Sequence, residues 1–215
     1  MCSHYEAPTP SQLLDAFGVA PDGQYKLDLW PGYSGPFIRN RVGDVDEGDD
    51  LAEALVGVFG LLPHWAKDQK LARRTYNARS ETVGELPSFR SAWSKARHCI
   101  IPAAAIYEPD WRSGKAVPTR ISRKDGRLLG IAGLWEELLD GNGDVVHSFT
   151  MLTINADDHP LMSQFHRPGD ERRMVVILPA GAQRDWLSAT AEQSRDFLGQ
   201  YPADRLVAES GSSES

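Results

Sequence analysis

Apolar positions in this chain fall mostly into short runs bounded by Gly, Pro, Asn and Asp, the pattern of strands rather than long helices. The run VGVFGLL at residues 56–62 reads as a buried strand stopped by Pro63. Further strand-like runs lie at residues 98–106, 117–122, 128–135, 145–154 and 173–178. DGNGD at residues 140–144 separates two of them and predicts a hairpin turn. Helical spacing is brief. Thr9-Pro10-Ser11, then Leu13, Leu14, Phe17 and Gly18, predicts a short capped helix. Residues 88–95 predict one or two turns with Phe89 and Trp93 on one face. Asp157 and Asp158 predict the cap of a helix running to about His166, and two polar helices are expected at 181–188 and 191–198. Residues 32–36 read as a turn, 42–50 as an exposed acidic loop, and 209–215 as a disordered tail. With no repeat or linker, the order predicts one α+β domain over residues 1–208, with antiparallel strands and short helices at its edges.

Composition narrows the picture. The 215 residues, 41% hydrophobic, suffice for one well-cored domain. No run is long and apolar enough to predict a membrane span, and no basic-then-apolar leader is evident, so no membrane partner is expected. Two cysteines, Cys2 and Cys99, predict no disulfide framework and a reducing, cytoplasmic setting. The net charge of −7 disfavours a polyanion partner until its distribution is considered. Residues 67–127 hold 14 Lys and Arg against 6 Asp and Glu, a local +8 that leaves −15 for the remainder. That asymmetry fits a nucleic-acid-binding face on an acidic body, or simply a solvated mixed surface.

Four places carry candidate chemistry. If Met1 is removed, Cys2 combines an α-amine of pKa ~7.7–8.0 with a thiol of pKa ~8.5. Such an aminothiol condenses with an aldehyde: the amine gives an imine and the thiol closes a five-membered thiazolidine. In the polar run from Arg74 to Thr82, Asn77 can orient a reacting group and Arg79 offers a fork for phosphate. Glu108 ends an apolar run between Tyr107 and Trp111, where desolvation would make it a general acid or base. His166 stands at an expected helix end near several arginines, as a proton shuttle or a helix-terminal charge. Trp65 and Trp93 could stack on unpaired bases or fill the core. No ligand spacing typical of zinc, Gly-rich phosphate loop or dinucleotide fingerprint occurs, so no metal or cofactor is expected.

In this order, the signals resemble one family, the SRAP proteins (SOS response associated peptidases, or abasic-site processing proteins). Met1-Cys2 and Gly60-Leu61-Leu62-Pro63-His64-Trp65 are similar to its N-terminus and WGxxPxW segment. Asn77-Ala78-Arg79-Ser80-Glu81-Thr82 resembles its NARxET box, Ile101-Pro102 through Tyr107-Glu108 its IPxxGFYEW strand, and residues 166–178 its HxRMPVIL ending. The chain departs from the pattern at Ser3, His4, Ala105, Ile106 and Pro109. The resemblance implies an α+β domain with curved, mainly antiparallel sheets forming a barrel-like core. It implies covalent capture of abasic sites in single-stranded DNA, with associated lyase or autoproteolytic activity. On that basis Cys2 is the nucleophile, Asn77 holds the Cys2 end, Glu108 is the general acid/base and His166 assists ring opening. Arg74, Arg79, Arg172 and Arg173 are the expected phosphate contacts, with Arg167 a neighbour of the last two, and Trp65 the expected stacking residue. A monomer is expected. Two other readings stay open from the residues: a cysteine peptidase using Cys2, and a non-covalent single-strand binder.

Overall fold

The computed structural model describes residues 2–43 and 52–210, so most of the loop expected at 42–50 and the end of the tail lie outside the described residues. The first helix forms where its caps predict. In α1 (Pro10–Phe17) the Thr9 side chain accepts from the Gln12 N–H while Gln12 Oε1 accepts from the Thr9 N–H, a reciprocal capping box. Gly18, at φ 76°, closes the other end by donating to the Leu14 carbonyl.

Among the described residues there are twelve strands and two further helices, in chain order β1 (Tyr5–Glu6), β2 (Asp28–Leu29), β3 (Ser34–Asn40), β4 (Ala52–Phe59), β5 (Asn77–Arg79), α2 (Arg90–Ser94), β6 (His98–Ala103), β7 (Ala105–Asp110), β8 (Val117–Arg123), β9 (Leu129–Leu139), β10 (Val145–Asn155), β11 (Arg173–Val175), α3 (Gln183–Ser188) and β12 (Leu206–Ser210). Strands β4, β3, β6, β9 and β10 pair in turn, and β10 returns to β4, closing a five-stranded barrel. Every pairing in that ring is antiparallel except β10 with β4. The far end of β10 carries β5 on one side and β11 on the other. A second sheet, in the order β12-β8-β7-β1-β2, is wholly antiparallel. The fold is a single α+β domain of the expected kind.

Two glycines let this barrel close. At Gly133 a Cβ would meet Ile101 Cδ1 at 2.1 Å and the Thr150 carbonyl oxygen at 2.5 Å. Gly60, at φ 126°, ends β4, and a Cβ there would lie 2.2 Å from the Ala72 carbonyl oxygen. That close approach seats the segment leading to β5, reinforced by Thr75 Oγ1 donating to the Leu61 carbonyl at 2.8 Å. One buried core joins both sheets. Phe59 stacks on Phe149 with ring centroids 5.6 Å apart and meets Tyr5 edge-on at 5.2 Å, so β1 is pinned to the barrel wall. Burying such a ring stabilises the fold by about 1.5–3 kcal/mol.

Several expected elements take another form. The run at 98–106 divides at Ala104, whose N–H donates to the Glu6 carbonyl, so β6 stays in the barrel and β7 enters the second sheet. The helix expected up to His166 shrinks to one 3-10 turn, Met162–Gln164. Its organiser is His159, not the aspartates: Nδ1 accepts from the N–H groups of Leu161 and Met162. The run at 191–198 forms a 3-10 helix, Gln193–Phe197. Regular pairing ends after Val175, and residues 176–178 continue by single bonds to Leu152 and Gly130 and a bridge from Ile177 to Ile131. Glu209 and Ser210, expected in the tail, pair with Arg120 and Thr119 in β12.

Candidate active site

The N-terminal residues run alongside β7, with the Tyr107 N–H donating to the His4 carbonyl at 2.9 Å, one step beyond the pairing of Tyr5 with Ile106. This register brings Cys2 to Glu108. Cys2 is 1% exposed, and its thiol lies toward the His4 carbonyl at 3.5 Å. Asn77 arrives from the barrel side at the head of β5, where its Nδ2 donates to the Cys2 carbonyl at 2.7 Å. His166 comes from the loop before β11, with Nε2 4.0 Å from Glu108 Oε2, an ion-pair distance longer than a hydrogen bond. Residues far apart in the chain thus meet at the seam of barrel and second sheet.

The electrostatics of this group follow from burial. Glu108 is 2% exposed, and neither carboxylate oxygen has a hydrogen-bond donor among the described residues. Burial pushes its carboxyl up to about 7. Burial holds the His166 imidazole down at about 4, aided by Arg172 and Arg173. The Cys2 thiol is pushed up, first by burial and then by Glu108. Near neutrality the set is therefore a thiol, a neutral imidazole and a carboxyl poised between its two forms. Asn77 Oδ1 is likewise buried with no donor among the described residues. Three acceptor atoms without donors around one residue is a costly arrangement for a merely structural site.

The sequence model of the SOS response associated peptidase (SRAP) family matches residues 1–213. The chain belongs to the SRAP family. A Bacillus subtilis relative named abasic site processing protein YoqW is 32% identical over 203 residues, covering 91% of this chain and 85% of its own length. The Gallus gallus abasic site processing protein HMCES is 26% identical over 215 residues, which cover 86% of this chain and 61% of that one. A crystal structure of a Bordetella bronchiseptica protein superposes with a TM-score of 0.87 at 51% identity, over 97% of this chain and 99% of that one. A Bacteroides thetaiotaomicron structure, 22% identical with a TM-score of 0.79 over 97% of this chain and 91% of its own, shares the fold.

Around the central four residues of this SRAP site, the expected phosphate contacts separate into two groups. Arg74 and Arg172 are exposed, and Arg172 lies 3.8 Å from Asp157. Arg79 is half exposed and pairs with Glu171 at 2.9 Å, a surface ion pair worth at most about 1 kcal/mol and easily exchanged for a phosphate. Arg173 differs. It is 2% exposed, and its guanidinium binds Glu81 at 2.8 Å, Glu171 at 2.5 Å and the Thr153 carbonyl at 2.7 Å. That engagement makes it a brace between β11, β10 and the turn after β5, with no donor turned outward. Arg173→Met is expected to lower stability by roughly 2 kcal/mol in urea melts. Trp65 is 46% exposed, on the turn closed by the Ala66 N–H donating to the Pro63 carbonyl.

The fold of this chain also gathers aromatic residues that no local pattern announces. His4 lies between Trp30 and Tyr107, each ring centroid 4.1 Å away and nearly parallel. Asp28 bonds His4 Nε2 with one oxygen and accepts from Trp30 Nε1 with the other, at 3.0 Å. The His4 bond holds the Asp28 carboxyl below its usual range. Among the described residues no cluster of three or more His, Cys, Asp or Glu is placed to hold a metal ion, and no helix is long and apolar enough to cross a membrane.

Proposed function

We propose that this chain processes abasic sites in single-stranded DNA by joining Cys2, as residue one after loss of Met1, to the sugar in a thiazolidine. The carrying observation is the set of buried acceptors around Cys2: both Glu108 oxygens and Asn77 Oδ1, without donors among the described residues. A free α-ammonium group on Cys2 supplies donors to such a site. The names of the relatives, abasic site processing proteins, support the same substrate.

The chemistry runs in order through these groups. Neutral His166 takes the proton of the sugar's C1′ hydroxyl and returns it to the ring oxygen O4′ as the C1′–O4′ bond breaks, giving the aldehyde. The Cys2 amine attacks C1′, and Glu108 in its protonated form donates to the departing hydroxyl, so water leaves and an imine forms. The thiol then adds to the imine carbon. Its proton restores the Glu108 carboxyl, the nitrogen keeps the proton it carried into the protonated imine, and the five-membered ring closes. One water is lost overall and nothing is oxidised or reduced. Asn77 holds the Cys2 carbonyl so that amine and thiol reach one carbon. Loss of the 3′ phosphate from the imine would give the associated lyase activity. A peptidase thiolate would need a lowered thiol pKa. Burial here moves the Cys2 thiol up and the His166 imidazole down, which favours the aminothiol reading.

The test is to incubate the chain lacking Met1 with a single-stranded oligonucleotide bearing one abasic site. A slower band should survive a denaturing gel, and an oligonucleotide without the lesion should give none. Absence of that band would overturn the reading.

A further inference from the structure

Trp30 is an unusual place for a tryptophan. It is 42% exposed although one face lies on the His4 ring, and its indole edge is fixed by Asp28. Its outward face is therefore held in a fixed plane and exposed, at the end of three parallel rings. The rings are built from the reactive neighbourhood itself. His4 is two residues from Cys2, and Tyr107 immediately precedes Glu108, with its N–H on the His4 carbonyl. Trp30 also opens a tight turn in which the Tyr33 N–H donates to the Trp30 carbonyl at 2.9 Å. Tyr33 at the other end is 42% exposed, with the Lys26 ammonium 4.4 Å from its ring centroid. Two exposed rings joined by one turn, with a lysine against the second, match what an unpaired strand requires: flat faces for bases and a cation for the backbone.

Resting on the abasic-site reading above, we infer that the outer face of Trp30 is the stacking platform for the nucleobase flanking the abasic sugar, with His4 and Asp28 as positioning residues that fix its plane. The spacing within the stack, 4.1 Å from ring to ring, is close to that of stacked aromatic systems, so a base adds to it as a fourth layer. Stacking recognises any base but favours larger rings. The platform therefore makes the protein sensitive to the base beside the lesion, with purine preferred over pyrimidine on one flank.

The probe is a short single strand with a central tetrahydrofuran, an abasic analogue with no aldehyde, and 2-aminopurine on one flank or the other. Binding by the wild-type chain should quench 2-aminopurine on one flank through stacking. Trp30→Leu still covers the His4 ring but lacks a π face. It should abolish that quenching, weaken binding roughly 5- to 100-fold and remove the purine preference. Trp30→Phe should retain most of both signals. Wild-type quenching needs no variant, so the platform is tested even if Trp30→Leu folds poorly. Quenching on neither flank, or equal affinity of wild type and Trp30→Leu, overturns the platform. If the wild type also crosslinks a reactive abasic strand, only the platform falls. If it neither crosslinks nor distinguishes abasic from intact strands, both readings fall.

Discussion

Cys2→Ala is expected to eliminate the denaturant-resistant DNA adduct while leaving a folded protein. The substitution removes one sulfur from a buried position, at a stability cost on the order of 1 kcal/mol. It keeps the α-amine, which still condenses with the C1′ aldehyde. The product then stops at an imine, which hydrolyses when the protein is denatured. Borohydride reduction before the gel should therefore trap Cys2→Ala on abasic DNA, whereas untreated samples show no shifted band. A chain that keeps Met1 should fail in both formats, because its Cys2 nitrogen is already an amide. Mass spectrometry of the wild-type adduct should give the oligonucleotide plus the chain without Met1, less one water. A stable untreated band from Cys2→Ala would sink the thiazolidine. Equal capture by the Met1-bearing chain would sink the role of the amine. The three results separate the two nucleophiles that the proposal assigns to one residue.

Much of the local architecture was legible because its determinants are local. The capping box of α1 needs only Thr9 and Gln12, and DGNGD turns the β9–β10 hairpin through Asp140 and Asp144. What was not legible depends on distant partners. Nothing in residues 98–106 marks Ala104 as the point where the chain leaves one sheet for another, since the Glu6 carbonyl that claims its N–H is remote in sequence. The parallel pairing of β10 with β4 that closes the barrel has no local signal either. The same division holds at the site. Each of Cys2, Asn77, Glu108 and His166 was readable as chemistry by residue type, but their convergence rested on family resemblance until the register of the N-terminus on β7 placed Cys2 at Glu108. Arg173 shows a physical limit of local reading: within a basic run, an arginine that pairs with Glu81 and Glu171 has the same sequence setting as one open to solvent. Trp30 carried no sign of stacking in its own sequence because the ring it lies on, His4, and the Tyr107 ring beyond it come from distant parts of the chain.

Glu108→Gln should separate catalysis from stability, in opposite directions. A carboxyl moved by burial from 4.5 to about 7 binds its proton more tightly in the folded chain than in the unfolded one. Its contribution to stability is therefore fully present below pH 4.5, declines as pH rises toward 7, and is gone above that. The difference amounts to about 3 kcal/mol, the cost of holding in a buried site a carboxylate with no hydrogen-bond donor among the described residues. Glutamine has nearly the same shape and no charge to bury. Urea melts at constant ionic strength should therefore find wild type and Glu108→Gln close together at pH 5 and the variant more stable by up to about 3 kcal/mol at pH 8. Over the same range the variant has neither a proton to give to the departing hydroxyl nor a base for the thiol. Its crosslinking rate should fall on the order of 10²–10⁴-fold. Parallel pH profiles of stability would contradict the burial argument, and an undiminished rate would remove Glu108 from the chemistry. Found together, the gain at pH 8 and the lost rate would mean that this fold carries a destabilising carboxylate because the reaction at Cys2 uses it.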